Sequence, residues 1–298
     1  MVAPGPGNAE LLLRCHRAYA EGLWQYVRSL PGATHRDVRG AVLMRCELPA
    51  SIANTAFLIN PTLPRDELLR EASAFFGPER PWRVLLGGPG FEEVDVAARQ
   101  LGLRRAPSEP GMLLDPIRPL PGPPASLTIR PVENAAALAD FGAVWCESFR
   151  IPTWVLPVAM PRVPPDDPER GAQNRFFVGY AEGRPVACST VTVTERVAAI
   201  ASVGTVTRAR GRGYGTAMTS KAVEMGASLG ADVAALAAST MGYPVYERMG
   251  FRRVAEYPSW HVPSGFFRTL RMVRTFRRLV RETRATQTAS GSAPQASP

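Results

Sequence analysis

The segment Arg210-Gly211-Arg212-Gly213-Tyr214-Gly215 joins a β-like run to a helical pattern. Glycines lack a Cβ atom, so backbone N–H groups in such a loop can approach a ligand closely. The helix that follows adds roughly half a positive charge at its N-terminus, which favours a phosphate group. Taken alone, the same glycines are also typical of a tight strand-to-helix turn. The spacing matches neither the dinucleotide fingerprint nor the P-loop.

A second motif, Tyr246-Glu247-Arg248-Met249-Gly250-Phe251, follows the glycine loop. Together the two motifs resemble the GNAT superfamily of N-acyltransferases. The pyrophosphate loop of that family reads Arg or Gln, two residues, Gly, one residue, then Gly or Ala, and Arg210, Gly213 and Gly215 match it. The second motif is similar to the family ending Tyr-x-x-x-Gly-Phe. The resemblance covers residues 127–261.

The resemblance implies a site for acetyl-CoA, used as a co-substrate without a metal. Backbone at the end of the preceding strand pairs with the pantetheine arm in this family, and the glycine loop binds the pyrophosphate. Many members have asparagine where this chain has Ser239, whose shorter side chain reaches pantetheine only through a changed geometry or water. The implied cofactor-binding residues are Val203, Gly204, Thr205, Arg210, Gly211, Arg212, Gly213, Tyr214, Gly215, Thr216 and Ser239.

The resemblance also implies one catalytic residue. Tyr246 stands at the position of the tyrosine that commonly protonates the departing thiolate. The alternative is a helix tyrosine that only packs on the sheet. A general base is harder to assign, because the predicted strand at 197–206 contains no acid. Glu147, Glu195 or a water chain are the candidates.

The pKa of the acceptor amine decides how much a general base is needed. At pH 7 a lysine side chain is neutral in only about one molecule in 2,500, whereas an α-amine is neutral in about one in six. Without an obvious base, the sequence favours an acceptor amine of low pKa. A proline-broken segment, residues 151–168, lies where family members line the acceptor groove. This segment forms either a groove with apolar walls and acids that attract a cationic amine, or a solvated loop. The candidate wall residues are Trp154, Met160 and Val163, and the candidate acids are Asp166, Asp167 and the following Glu169.

Apolar periodicity extends this reading to the fold of the C-terminal half. Antiparallel strands joined by short turns, with helices packed on them, give an α+β class. The predicted strands are 127–132, 176–181, 185–194, 197–206, 232–237 and 251–261. The predicted helices are 134–149, 214–229 and 242–249.

A boundary between two domains is predicted at the proline- and glycine-rich residues 116–124. With 298 residues and 45% hydrophobic side chains, the chain can bury two cores of ordinary size. The N-terminal half contains a predicted strand at 82–86 and helices at 66–76 and 91–100. We predict two GNAT-like domains, each a mainly antiparallel twisted sheet flanked by helices, at residues 1–118 and 119–262.

The first domain looks like a degenerate copy of the second. Leu101-Gly102-Leu103-Arg104-Arg105 parallels Met249-Gly250-Phe251-Arg252-Arg253. In this register Ala98 replaces Tyr246, and residues 60–64 lack the arginine and glycines of the phosphate loop. We therefore expect a single acyl-CoA site per chain.

Residues 263–298 form a basic amphipathic segment and a polar tail. Within it, residues 266–284 place apolar and arginine side chains on opposite sides of a helix. Such a helix docks on its own protein, or lies on an anionic membrane or nucleic acid. Residues from 285 onward are expected to be disordered. The apolar side carries Met272, Val273, Phe276, Leu279 and Val280.

Bulk composition adds few constraints on function. The net charge is +9, but nearly every cation is arginine and Lys221 is the one lysine, which indicates coding bias rather than a polyanion partner. Four scattered cysteines are expected to be buried, reduced thiols. No secretory leader or membrane span is recognisable, so a cytoplasmic protein is expected.

The sequence thus predicts an N-acetyltransferase that moves an acetyl group from acetyl-CoA to a primary amine by direct attack in a ternary complex. The acceptor is a small molecule or a peptide, and the oligomeric state is open. The alternative is a non-catalytic acyl-CoA sensor that keeps the loop without turnover. A third class is a protein that binds polyanions through the arginine-rich tail.

Overall fold

The structure is a computed structural model that describes residues 6–160, 162–263 and 266–291. The N-terminal half comprises α1 (Pro6–Val27), β1 (Thr34–Val38), β2 (Ala41–Arg45), β3 (Thr55–Leu58), α2 (Arg65–Phe76), β4 (Arg83–Leu86), α3 (Phe91–Gln100) and β5 (Arg104–Leu114). The C-terminal half comprises β6 (Thr128–Pro131), α4 (Ala135–Phe149), α5 (Leu156–Ala159), β7 (Gln173–Ala181), β8 (Arg184–Thr194), β9 (Val197–Thr205), α6 (Tyr214–Ser228), β10 (Val233–Ala237), α7 (Tyr243–Arg248), β11 (Arg252–His261) and α8 (Phe266–Gly291).

The strands of both halves join into one sheet. Their order is β1-β2-β3-β4-β11-β5-β10-β9-β8-β7-β6, and the pairs are antiparallel except β3 with β4 and β9 with β10. The predicted α+β class with a mainly antiparallel sheet and flanking helices is confirmed. Because β11 lies between β4 and β5, and β5 between β11 and β10, each half inserts its last strand into the sheet of the other.

Close packing at this exchange requires a glycine. Gly111 of β5 lies opposite Ala255 of β11, and a Cβ atom on Gly111 would come within 2.7 Å of the Tyr257 ring. Real Cβ atoms do not approach so closely, so the strands fit together only where the side chain is missing. The exchange therefore depends on the glycine at position 111 of β5.

Helices cover both faces of the sheet. On one face, a Cβ atom on Gly22 of α1 would lie 3.8 Å from Ala199. On the other face, Gly226 of α6 approaches the neighbouring Ala198. Successive residues of a strand point to opposite faces, so α1 and α6 lie on opposite sides of β9. Helix α1 of the N-terminal half thus packs on the sheet of the C-terminal half.

Helix α3 of the N-terminal half and helix α7 of the C-terminal half end in the same way. The N–H of Phe251 donates to the carbonyl oxygen of Tyr246 at 3.0 Å, and the N–H of Leu103 donates to that of Ala98 at 2.9 Å. Gly102 and Gly250, which precede the donors, both have positive φ angles, a backbone conformation typical of a helix end. The structure therefore places Ala98 and Tyr246 at equivalent positions, while a degenerate origin of the first half stays a prediction.

The C-terminal helix docks its apolar face on the protein. Three of its side chains, the half-buried Phe276 and the buried Leu279 and Val280, pack with the apolar side chains near α5. Contact of its arginine face with a membrane or nucleic acid, the less favoured alternative from the sequence, is not tested by this packing. The disorder expected from residue 285 onward is wrong for residues 285–291, where the helix continues to Gly291. The remaining residues, 292–298, lie outside the described part of the chain.

Most predicted elements of the C-terminal half agree with the structure to within a few residues. In the N-terminal half, α1 and the strands β1, β2, β3 and β5 were not predicted. No helix among the described residues is both long and apolar enough to cross a membrane. All four cysteines are buried free thiols, as expected.

Candidate functional site

An opening between two parallel strands forms the centre of the candidate site. β9 and β10 pair only from Val197 with Val233 to Ala199 with Ala235. Beyond these positions β9 continues to Thr205 while β10 ends at Ala237. The edge of β9 that faces β10 is therefore unpaired over residues 200–205. Unpaired peptide groups at a strand edge are ready to hydrogen-bond an extended ligand.

A β-bulge distorts β9 beside this opening. Ala201 pairs with Thr190 and Gly204 with Cys188, so two residues of β9, Ser202 and Val203, face one residue of β8. Ser202 has a φ of 52°, which residues other than glycine rarely adopt and which costs about 1 kcal/mol or more. Bulges of this kind redirect backbone groups next to functional sites. No local feature of the sequence signals this bulge.

The glycine loop follows directly after β9. Gly211 and Gly213 have φ angles of 76° and 77°, and a Cβ atom on either would meet nothing within 4 Å. The Arg210 Nε donates to the carbonyl oxygen of Thr205 at 3.1 Å, which fixes the loop against the strand. The loop therefore presents open space rather than a packed turn.

Helix α6 begins at this loop. Its first backbone hydrogen bond runs from the N–H of Ala217 to the carbonyl oxygen of Gly213, at 3.0 Å. Within the described chain, the N–H groups of residues 211–216 have no backbone partner. Free N–H groups and the helix dipole both favour an anion, and a phosphate fits this arrangement. The predicted loop residues thus lie together around one set of unpaired donors, and phosphate binding by them stays a prediction.

Tyr246 lies on α7, which follows β10. Its side chain is 9% exposed, and its ring packs edge-on against Phe251 with 5.9 Å between centroids. Burial raises the pKa of Tyr246 to about 12, so the phenol keeps its proton at neutral pH. A protonated phenol at this position can donate to a developing anion.

Residues 144–251 match the acetyltransferase (GNAT) family. This region is a GNAT domain. Among solved structures, the chain is similar to a GCN5-related N-acetyltransferase from Kribbella flavida, with a TM-score of 0.65 and 20% identity over 84% of this chain and 96% of that chain. No curated protein sequence matches.

Two further structures share the fold. A GCN5-related N-acetyltransferase from Sphaerobacter thermophilus has a TM-score of 0.54 and 18% identity, over 89% of this chain and 96% of that chain. A tandem GNAT protein from the clavulanic acid biosynthesis pathway has a TM-score of 0.51 and 14% identity, over 87% of this chain and 96% of that chain. At these identities the likeness shows the fold alone.

Ser239 lies in the connection from β10 to α7 of the GNAT domain. Its Oγ accepts a hydrogen bond from the N–H of Gly242 at 3.1 Å, as a helix cap does. The hydroxyl proton is left to donate elsewhere. Its predicted contact with pantetheine stays a prediction.

The acids predicted to attract an amine have other partners in the GNAT domain. Asp166 accepts from Arg175 at 2.8 Å, and Asp167 lies 3.3 Å from Arg28. The Arg175 guanidinium and the Asn174 N–H hold the pKa of Asp166 below its usual value despite partial burial, so it stays charged and paired. The structure therefore gives both acids a structural role, and only Glu169 of the predicted three is exposed without such an ion pair among the described residues.

The predicted apolar walls of the acceptor groove are mostly used for packing. Met160 is buried in the core of the GNAT domain, and Val163 packs against the same core. Trp154 lies edge-on to Phe276 of α8, with 5.9 Å between ring centroids. The segment is therefore fixed by the C-terminal helix rather than a free solvated loop.

Neither candidate for the general base is well placed. Glu147 is exposed and pairs with Arg208 at 2.9 Å. Glu195 occupies the turn between β8 and β9, at the opposite end of β9 from Thr205. At about 3.3 Å per residue, the two ends of β9 lie roughly 30 Å apart, so Glu195 cannot reach the site.

Proposed function

We propose that this chain is an N-acetyltransferase that transfers an acetyl group from acetyl-CoA to a primary amine of a small molecule or peptide. The observation that carries the proposal is the row of free N–H groups at residues 211–216, beside the unpaired edge of β9. Donor and acceptor are held together in one ternary complex. The opening between β9 and β10 lies within the sheet, so the thioester and the amine can meet there.

The residues present fit coenzyme A. Gly211 and Gly213 leave the space that a diphosphate requires, and the start of α6 supplies donors and partial positive charge. A Cβ atom on Gly215 would lie 3.8 Å from Thr205 Oγ1, so the cradle adjoins the end of β9. Residues 203–205 are in the right place to pair with an amide-containing arm. The free edge of β9 and the phosphate cradle therefore suit one elongated ligand.

The chemistry follows from the same residues. Acetyl-CoA supplies an activated thioester carbonyl. Backbone N–H groups around the bulge at Ser202 polarise such a carbonyl, which is where negative charge develops during attack by an amine. Tyr246 holds a proton at neutral pH and delivers it to the sulfur as the carbon–sulfur bond breaks. A positioned acid contributes about 10²-fold to 10⁴-fold, and holding both reactants adds more.

The proposal is tested by two measurements on the full chain. Calorimetry with coenzyme A reports binding, and a thiol-release assay with acetyl-CoA reports turnover against polyamines, aminoglycosides, amino acids and peptide N-termini. We expect binding, and thiol release that depends on one class of amine. Binding without release for any amine would identify a non-catalytic acyl-CoA sensor instead. Absence of binding would remove the assignment of the loop.

A further inference from the structure

The GNAT domain lacks an acid on its own strands at the opening, but a strand of the other half lies beside it. β5 runs antiparallel to β10, with Gly111 opposite Ala237 at the carboxyl end of β10. Past that end, the N–H of Ala238 donates to the carbonyl oxygen of Pro110 at 2.9 Å. The next residue of β5, Glu109, therefore lies just beyond the end of β10, alongside the connection that leads to Tyr246.

Strand pairing fixes the face on which Glu109 lies. Glu109 is paired with Tyr257 of β11, and directly opposite residues of paired strands share a face. The Tyr257 ring packs against Tyr19 of α1, with 4.9 Å between centroids. Glu109 thus lies on the α1 face of the sheet. The charge of Glu109 also contributes to the raised pKa of Tyr19, after burial, which agrees with this placement.

The phosphate cradle belongs to the opposite face, where α6 packs. A thioester that enters between β9 and β10 from the α6 side presents its carbonyl to an amine arriving from the α1 side. β5 and β9 are separated by one strand, so their backbones are about 10 Å apart or more. That distance accommodates an amino group, with or without one water, between Glu109 and the unpaired edge of β9.

Charge availability separates Glu109 from the other acids near the site. Glu147, Asp166 and Asp167 each pair with an arginine, and Glu169, which has no such partner in the described part of the chain, lines a cavity with Thr194 and Glu195 at the far end of β9. Glu109 is exposed, and among the described residues it has no ion pair within 4 Å. Its ionisable neighbours are Tyr257 on β11 and Tyr19 on α1, with Arg83 of β4 near Tyr19. An unpaired carboxylate without a structural partner is free to bind an ammonium group.

We infer that Glu109, supplied by the N-terminal half, binds the ammonium group of the acceptor and takes its proton, directly or through one water. The inference rests on the proposed acetyltransferase function and names a base for the opening, where the described strands β9 and β10 contain no acid. The ammonium gives one proton to Glu109, and the resulting amine lone pair forms the carbon–nitrogen bond as the carbon–sulfur bond breaks.

The protons balance over the cycle. The nitrogen loses a second proton when the amide forms. The sulfur takes the Tyr246 proton, and Tyr246 is restored by the proton that the nitrogen released second. Glu109 returns its own proton to solvent, so one proton leaves per amide formed. Both residues are therefore ready for the next turnover.

The test compares Glu109→Gln and Glu109→Asp with the control Glu93→Gln, an exposed acid on α3. The amine probes are glycinamide and Nα-acetyl-lysine amide, whose amines differ by more than two pKa units. At pH 7, Glu109→Gln should lower kcat/KM by roughly 10²-fold for the lysine probe and by less for glycinamide, which is partly neutral already. The loss should shrink as pH rises toward 10. Glu109→Asp should recover part of the rate, and Glu93→Gln should change nothing.

A second readout does not depend on turnover. By calorimetry, Glu109→Gln should bind coenzyme A as the parent does, while binding of the lysine probe weakens at least several-fold. A loss of kcat/KM that is equal for both probes at every pH, or no loss, would overturn the role of Glu109. If the parent binds coenzyme A but acetylates no amine, the proposed function fails, and the inference fails with it.

Discussion

The backbone N–H of Ala238 donates a hydrogen bond to the carbonyl oxygen of Pro110, 2.9 Å away. Ala238 leaves the GNAT domain strand β10, whereas Pro110 belongs to β5 of the N-terminal half. The bond continues the seam in which β5 fits between β10 and β11. The sheet that carries the candidate site is therefore incomplete without the other half.

Deleting residues 1–118 tests this dependence. The deletion removes β5 and α1, which leaves β10 and β11 without the strand that joins them and uncovers the α1 face of the sheet. Unpaired edges and bare apolar surface favour aggregation. The remaining fragment should be insoluble, or should lose its cooperative thermal transition by circular dichroism.

Co-expression provides the matched control for that deletion. Residues 1–118 and 119–298, produced as separate chains, should copurify and regain the transition, because the cut lies between β5 and β6. A fragment 119–298 that melts like the parent, with full activity, would contradict the dependence on β5.

One acyl-CoA per chain is expected, because the described parallel strands of the N-terminal half, β3 and β4, stay paired to their ends. β3 and β4 pair from Thr55 with Arg83 to Leu58 with Leu86. The N–H of Gly87 then donates to the carbonyl oxygen of Leu58 at 2.9 Å, so the pairing continues past both strands. Calorimetric titration with coenzyme A should give a stoichiometry of one, and a value of two would reveal a second site.

Gly213→Glu should abolish coenzyme A binding. A negative side chain would enter the cradle, and at a φ of 77° any L side chain is strained by about 1 kcal/mol or more. Gly183→Glu is the matched control, because Gly183 has a φ of 73° and similar open space in the turn between β7 and β8. Calorimetry should show binding by the control and none by Gly213→Glu. Equal binding by both variants would argue against a phosphate in this loop.

The local features of the site could be predicted from sequence, because each depends on neighbouring residues. The glycine loop, the start of α6 and the end of α7 at Gly250 all follow from short-range rules for glycine and helix ends. The strand exchange could not be predicted, since β5 includes Pro107 and Pro110, which are unfavourable in a central strand. Its place in the sheet is decided by long-range pairing with β11.

Two site residues remained hidden for this reason. Glu109 gains its position only from the exchange, in which a strand of one half borders the opening in the other. Ser202 gains its unusual φ from the register between β8 and β9, which no local pattern encodes. Conversely, Asp166 and Asp167 were predicted to attract an amine, but each already forms an ion pair with an arginine. Asp166 pairs with Arg175 of β7, and Asp167 pairs with Arg28, which follows α1.

Acid sensitivity is expected from His16, which links α1 to β11. The side chain is 3% exposed, its Nδ1 lies 3.1 Å from the Tyr257 hydroxyl, and burial lowers the pKa of His16 to about 4. The folded protein then binds this proton less readily than the unfolded chain. The stabilisation is fully present above pH 6.5 and is lost as pH falls through about 4, by roughly 3 kcal/mol in total.

His16→Asn removes this titration while keeping a hydrogen-bond acceptor for Tyr257. Urea unfolding at pH 7, 5.5 and 4 should show a smaller decline of the unfolding free energy for the variant than for the parent. His35→Asn, an exposed position on β1, is the control and should keep the decline of the parent. Parallel declines in the parent and His16→Asn would show that other groups govern acid unfolding.

Tyr246→Phe should lower kcat by at least about tenfold and change acetyl-CoA affinity little. The phenol is used as the thiolate departs, so its loss raises the barrier more than it weakens binding. Because burial raises the pKa of Tyr246 to about 12, the parent should show no fall in kcat from its ionisation between pH 7 and 10. Tyr243→Phe, on the same helix, is the matched control and should keep the parent rate. Single-turnover kinetics measure the chemical step even where product release limits kcat, and an unchanged single-turnover rate in Tyr246→Phe would reduce Tyr246 to a packing residue.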